Sequence, residues 1–167
     1  MPSDWPTPEE LTSERLTLEP LRVGHAAEMV AVLADPALYE FIGGEPPPEA
    51  ELTARYQRQT SRPDWLNWVL RLRSTGEPIG TVQATLTGHG AELAWVVSTR
   101  FQGNGYALEA IDAVIPWLRT HGINSFHAHI HPDHSASNAL ARRLGFASTD
   151  CIKEGEIRWE SRNRCQN

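Results

Sequence analysis

Ala91-Glu-Leu-Ala-Trp-Val-Val-Ser98 runs through Thr99-Arg-Phe-Gln102 into Gly103-Asn-Gly105-Tyr-Ala107-Leu-Glu-Ala-Ile111. The first eight residues are apolar almost throughout and read as a central strand buried on both faces. Ala107, Ile111, Val114, Ile115 and Leu118 then recur at helical spacing. Between strand and helix, Gly103 and Gly105 let the backbone approach a ligand closely. The first amides of a helix point outward unpaired, and its dipole adds partial positive charge there. Such a turn suits a pyrophosphate. It is neither of two familiar nucleotide loops. A Rossmann fingerprint needs a small residue where Leu108 stands, and a P-loop needs Gly-Lys-Ser/Thr with no lysine nearby.

Outward from this stretch, strands and helices alternate. Upstream, Arg15–Leu21 reads as a strand around Leu16 and Leu18. A helical stripe follows over Ala26, Met29, Val30 and Leu33, stopped by Asp35–Pro36. A second helix spans Glu49 to Gln59. Asn67–Arg73 and Ile79–Leu86 form a hairpin around Ser74–Pro78. Downstream, Pro116 is expected to kink the helix and Gly122 to end it. Phe126–His131 alternates Phe126, Ala128 and Ile130 against His127, His129 and His131, a strand. Asp133 or Ser135 caps a further helix ending at Gly145, and two strands close the chain around Glu154–Glu156. The order β-α-α-β-β-β-α-β-α-β-β is a mixed α/β layer domain.

The 167 residues suit one domain, about 100–200 residues being usual. That domain is expected over 14–162, with a lead-in at 1–13 rich in prolines and acids and a tail at 163–167. A net charge of −6 argues against a nucleic-acid partner and mildly favours cationic ones. No apolar run reaches the roughly 20 residues of a membrane span, and the N-terminus lacks the pattern of a secretory signal. Two cysteines, Cys151 and Cys165, make no disulfide framework and fit a reducing cytoplasm.

Gln102-x-x-Gly105-x-Ala107 resembles the Gln/Arg-x-x-Gly-x-Gly/Ala motif of the GNAT N-acyltransferase superfamily. Pro132-Asp-His134-Ser-Ala-Ser137 with Leu144-Gly-Phe146 resembles the Pro-x-Asn-x-x-Ser…Leu-Gly-Phe segment of its RimJ/RimL-like branch. Glu14-Arg-Leu-Thr-Leu18-x-Pro-Leu21, Asp35-Pro36…Tyr39 and Gly76-x-Pro-Ile-Gly-Thr81 are similar to that branch too, in the right order. The resemblance implies a twisted mixed sheet whose fourth and fifth strands splay apart to admit acetyl-CoA. It implies N-acetyl transfer to a small-molecule amine or a peptide or protein N-terminus, by direct attack in a ternary complex. No metal is expected, and the protein should be a monomer or homodimer.

The same resemblance assigns the cofactor to Trp95, Val96 and Val97, to Gln102, Gly103, Asn104, Gly105, Tyr106 and Ala107, and to His134 and Ser137. It implies Glu92 as the base that takes the amine's proton, against a plain strand-end carboxylate. Ser137 would serve near the departing thiolate, against a local helix-start hydrogen bond. His134 replaces the branch's usual asparagine, and Ala141 the tyrosine acid of many relatives. Without that acid, binding of acyl-CoA without transfer is the alternative. Acceptor candidates are Tyr39, Glu40, Phe41, Trp65 and Trp159, under a lid at 43–48. His129-x-His131-x-Asp133-His134 also reads as the first metal motif of metallo-β-lactamase-like hydrolases. That fold needs further histidine ligands, and no histidine follows His134.

Overall fold

In the computed structural model, which describes residues 5–88 and 90–161, eight strands form one sheet in the order β1-β2-β3-β4-β5-β6-β8-β7. They are β1 (Leu11–Thr12), β2 (Leu16–Pro20), β3 (Trp65–Leu72), β4 (Pro78–Thr87), β5 (Gly90–Val97), β6 (Ser125–Ile130), β7 (Phe146–Lys153) and β8 (Glu156–Ser161). Four helices accompany them: α1 (Ala26–Val32), α2 (Glu49–Thr60), α3 (Tyr106–Thr120) and α4 (Ser135–Arg143). Cys165 and the 163–167 tail lie outside the described residues. The lead-in is less loose than its composition suggests. Leu11 pairs with Leu18, and the Trp68 indole donates to the Glu9 carbonyl at 2.8 Å. Two paired residues are too few to show a period, so β1 has no sequence signature.

Alternation along the strands divides the apolar residues between two cores. Leu16, Leu18, Trp68, Leu70, Val82 and Leu93 face α3, which offers Ile111, Val114 and Leu118. Val69 faces the other way, under Met29 of α1 and Leu52 and Tyr56 of α2. Each large aliphatic buried in this way stabilises the fold by roughly 1.5–3 kcal/mol. The second core is the smaller one, with α1 packed mainly on β4 and α2 on β3.

All neighbouring strands are antiparallel except β5 and β6, whose parallel pairing covers only Gly90↔Ser125, Ala91↔Phe126 and Glu92↔His127. Beyond Glu92, β5 continues to Val97 and β6 to Ile130 without further pairing, so a notch opens between them. This is the expected splay, displaced one strand in number by β1. It also corrects the expectation that β5 is buried on both faces. Ala91, Leu93 and Val97 are buried, but Ala94 is exposed and Trp95 and Val96 are half-buried. The apolar composition of β5 belongs to a strand that has lost a neighbour.

On its other edge β5 lies tight against β4. A Cβ on Gly80 would run into the Val96 carbonyl oxygen, so only glycine fits there. α3 continues through Pro116 as one helix. Pro116 is exposed, so the backbone group it leaves unpaired faces solvent. Gly122 donates to Arg119 and Ile123 to Leu118, a Schellman end.

Candidate functional site

The Gly103–Gly105 loop that the resemblance assigns to the cofactor is built from backbone. Gly103 and Gly105 have φ of 81° and 79°, a region that a residue with a Cβ enters only with strain. Gly105 is the N-cap of α3 and brings no side chain to cap it, so the first amides of the helix remain available. The Gln102 amide donates to the Val97 carbonyl at 3.0 Å, tying the loop to the end of β5. The Asn104 amide turns inward to the Phe101 and Gln102 carbonyls at 3.1 and 3.2 Å. Tyr106 and Ala107 are half-buried at the start of α3 and pack on the main core.

Arg15, which sequence reasoning assigned no site role, braces this loop. It donates to the Asn104 carbonyl at 3.0 Å, stacks 4.2 Å from the Tyr106 ring centre, and pairs with Glu109 at 2.7 Å. Glu109 also accepts from the Ser13 hydroxyl and the Arg15 amide. Hydrogen bonds from Ser13 and Arg15 hold its carboxyl below the ordinary range, although burial opposes them as the largest single influence. An open groove of about 710 Å³ runs along the loop past Leu108, Asp112 and Arg143.

Inside the notch, the Ser98 amide bonds to Ile79 of β4. Alternation then turns the Trp95 and Val97 backbone groups away from β4, towards the gap. Opposite them stands α4. Its N-cap is His134, not Asp133 or Ser135: the His134 Nδ1 accepts from the Ser137 amide at 3.1 Å. The imidazole lone pair replaces the carboxylate or hydroxyl a cap usually supplies. In the neutral ring the proton then sits on Nε2, 3.4 Å from the Ser137 hydroxyl, and can be donated. The Trp95 indole donates to that hydroxyl at 3.2 Å, so Trp95, His134 and Ser137 meet as a group. Ala141 is fully buried, and no phenol comes from this helix position.

Glu92 sits where the pairing of β5 and β6 stops. It is not among apolar neighbours. Its carboxylate lies 2.8 Å from His129 Nδ1 and 3.9 Å from His127 Nε2, and 38% of its side chain is exposed. Burial holds His127 below the usual imidazole range; Arg158 lowers it further and Glu92 opposes. Burial also pushes the nearby Glu156 carboxyl up, with His129 opposing and Glu92 reinforcing. The hydrolase motif does not assemble. His131 Nδ1 accepts from the Asp133 amide and His134 caps α4, so each serves its own turn.

On the Glu92 side of the sheet, a cavity of about 180 Å³ lies between α2 and the exposed edge of β5, lined by Tyr39, Arg55, Tyr56, Asn67, Gln83 and Ala94, among others. The Tyr56 hydroxyl and the Asn67 amide nitrogen are buried there without a partner among the described residues. Burial pushes the Tyr56 phenol up to about 12. Of the acceptor candidates, Tyr39 lines this cavity and donates to the Leu33 carbonyl at 2.9 Å. Phe41 rests on His131 and His134, with ring centres 5.2 and 4.9 Å away. Glu40 is exposed. Trp65 lies elsewhere, beneath Arg62 at 4.5 Å. Trp159 is 4% exposed in the main core, because alternation on β8 turns it inward. Sequence reasoning missed Tyr56, Asn67 and Gln83, since a tyrosine on an apolar helix stripe reads as plain core.

Comparison with known proteins gives this geometry a context. The model of the family described as "Acetyltransferase (GNAT) domain" matches residues 15–147. No curated protein matches the chain significantly. Among solved structures, the chain is similar to RimL, a ribosomal L7/L12 α-N-protein acetyltransferase in complex with coenzyme A. The TM-score is 0.80 at 20% identity, over 91% of this chain and 97% of that one. It is similar also to an acetyltransferase from Salmonella typhimurium that modifies the N-terminal serine of 50S ribosomal subunit protein L7/L12. There the TM-score is 0.79 at 18% identity, over 91% and 98% of the chains. A domain from Methanocaldococcus jannaschii reaches 0.76 at 23% identity, over 89% and 98%. The folds agree throughout, and with most of its length matched by the family model, this chain belongs to the GNAT acetyltransferase family.

Proposed function

We propose that the protein transfers an acetyl group from acetyl-CoA to a primary amine, by direct attack of the amine in a ternary complex. The observation that carries this reading is the position of Glu92. Its carboxylate stands at the closed end of the β5–β6 notch, on the sheet face that also carries the cavity under α2. When bound, acetyl-CoA supplies an activated thioester carbonyl. The residues present fit it: the Gly103–Gly105 amides and the bare N-terminus of α3 suit its pyrophosphate, and the notch side of Trp95–Val97 suits the pantetheine arm.

Glu92 takes the proton the amine must lose, and His129, 2.8 Å away, orients the carboxylate. The Val97 amide offers a donor for developing negative charge on the carbonyl oxygen. Ser137, fixed by Trp95 and His134, gives the departing sulfur a hydroxyl donor. Likeness of fold to RimL supports the RimJ/RimL-like branch and a peptide or protein N-terminus as acceptor. A small-molecule amine fits a cavity of about 180 Å³ equally well. The exposed free thiol of Cys151 suits a reducing compartment such as the cytoplasm.

The buried Ala141 favours one rival, an acyl-CoA binder without transfer. A screen of peptides, polyamines and other amines with labelled acetyl-CoA separates the two. Label transfer together with thiol release establishes the enzyme. Thermal stabilisation by acetyl-CoA with no transfer to any amine class establishes the binder.

A further inference from the structure

The two histidines of β6, His127 and His129, carry more than the base requires. Alternation aligns His127 and His129 on one face, and the parallel register sets Glu92 opposite His127. One ligand atom each from Glu92, His127 and His129 lies within 4.8 Å of the other two. The separations from the carboxylate are 2.8 Å to His129 Nδ1 and 3.9 Å to His127 Nε2. Ligand atoms of a tetrahedral zinc site stand roughly 3.3 Å apart, given bonds of about 2.0–2.2 Å. The two carboxylate distances bracket that value and the two imidazole nitrogens lie within 4.8 Å of each other, so side-chain rotations would bring the three atoms to coordination geometry. The imidazole rings stand perpendicular, at 89° with centres 5.7 Å apart, and so do not block one another. Both are largely buried, at 11% and 14% side-chain exposure, and thus held in place, while the half-exposed Glu92 leaves a path from solvent.

We infer that Glu92, His127 and His129 form a binding site for one transition-metal cation of the zinc class, and that filling it inhibits acetyl transfer. Two imidazoles and one carboxylate select zinc, copper, nickel or cobalt over magnesium and calcium, which prefer all-oxygen sets. A three-ligand set leaves the fourth position to water. The proposed site runs against the metal-free expectation drawn from sequence. It differs from the hydrolase motif, because His131, Asp133 and His134 take no part. The inhibitory half rests on Glu92 as the base: a carboxylate coordinated to a dication no longer accepts the amine's proton. The binding half stands without that assignment.

The test uses the full chain stripped of metal with a chelator and titrated with Co²⁺, then competed with Zn²⁺. Expected is one equivalent of cobalt with the visible absorption of a four-coordinate ion, displaced by zinc. His127→Ala, His129→Ala and Glu92→Gln should each weaken binding at least about 100-fold, since even outer partners of ligands are worth about 10–100-fold. Glu92→Gln decides the matter if a buried histidine variant fails to fold. No cobalt absorption, or absorption unchanged in Glu92→Gln, overturns the site. In the acetylation assay zinc should inhibit, chelator should restore, and His127→Ala should resist zinc. Full zinc sensitivity in His127→Ala overturns the inhibitory role. Metal binding in a protein that acetylates nothing would support the site and sink the enzyme reading alone.

Discussion

The two ends of the β5–β6 notch are made of different material. At the proposed cofactor end a continuous stretch, residues 97–109, supplies backbone amides, two left-handed glycines and the start of a helix. At the proposed acceptor end the groups are side chains from several separate elements: Tyr39, Tyr56 on α2, Asn67 on β3, Gln83 on β4, Glu92 on β5 and His129 on β6. A site built from backbone is a property of local conformation, and it recognises what every acyl-CoA shares. A site built from scattered side chains exists only once the sheet has closed, and it recognises what distinguishes one acceptor from another. If this division holds, a substitution at either end should leave the other end's function intact.

The sharpest separation comes from Glu92→Gln. General base catalysis is worth about 10²–10⁴ in rate. kcat should fall within that range while the affinity for acetyl-CoA, measured by calorimetry, stays within about twofold. A variant with unchanged kcat would assign the proton transfer to water, and the acceptor end would lose its chemical role. Gly105→Val is the converse. A β-branched residue at φ of 79° costs about 1–3 kcal/mol of strain and sets a side chain where the phosphates approach. Coenzyme A affinity should drop by about 100-fold or more. Unchanged affinity would remove the loop from the cofactor site.

Tyr56→Phe probes the acceptor end more gently. The Tyr56 hydroxyl is buried without a partner among the described residues, so deleting it should not lower the melting temperature. If it bonds the acceptor, the acceptor KM should rise by about 3–10-fold, the worth of one neutral hydrogen bond, with KM for acetyl-CoA unmoved. A rise in stability with no change in KM would mark Tyr56 as core alone.

The same division explains what the sequence discloses. The cofactor loop can be read from Gly103 and Gly105 between an apolar strand and a helical stripe, because each cue lies within a few residues of the group it positions. The helix ends at Gly122 and Gly145 are equally local. His127 and His129 were visible as a row on one face, but their meeting with Glu92 depends on the parallel register of β5 and β6, which no short pattern encodes. Trp65 and Trp159 look like acceptor walls only until alternation and strand order turn one aside and the other into the core. Arg15 lies far from Asn104 in sequence, and its bracing contact arises when β2 is laid beside α3. His134 as a cap escaped because the cap preference for Asp and Ser pointed to its neighbours.

A final, smaller effect should separate the ends through pH. His25 precedes α1 and is 2% exposed, with Nδ1 accepting from the Arg22 amide at 2.9 Å. Burial holds it below 6.5, Arg22 adds to this, and Glu19 and Glu28 oppose. The unfolded chain therefore binds a proton near pH 6.5 that the folded chain resists. The stability from neutral His25 is complete above that pH and declines as pH falls towards the folded value. His127 contributes with the same sign. Glu28, held down chiefly by its hydrogen bonds with Arg71, keeps its contribution until the carboxylate range below 4.5. Between pH 6.5 and 5 the loss thus belongs to the histidines, at no more than about 1.4 kcal/mol per pH unit for each. His25→Asn keeps an acceptor for the Arg22 amide and removes the titration. Urea midpoints at pH 7.5 and 5.5 should lie closer together in that variant. The α1–α2 layer above the acceptor cavity should loosen on acidification before the α3 side does, seen as faster amide exchange at Met29 and Leu52 than at Ile111 and Leu118. Equal loosening of both layers would show that one cooperative unit spans the sheet, so that the chemical division of the site is not a division of stability.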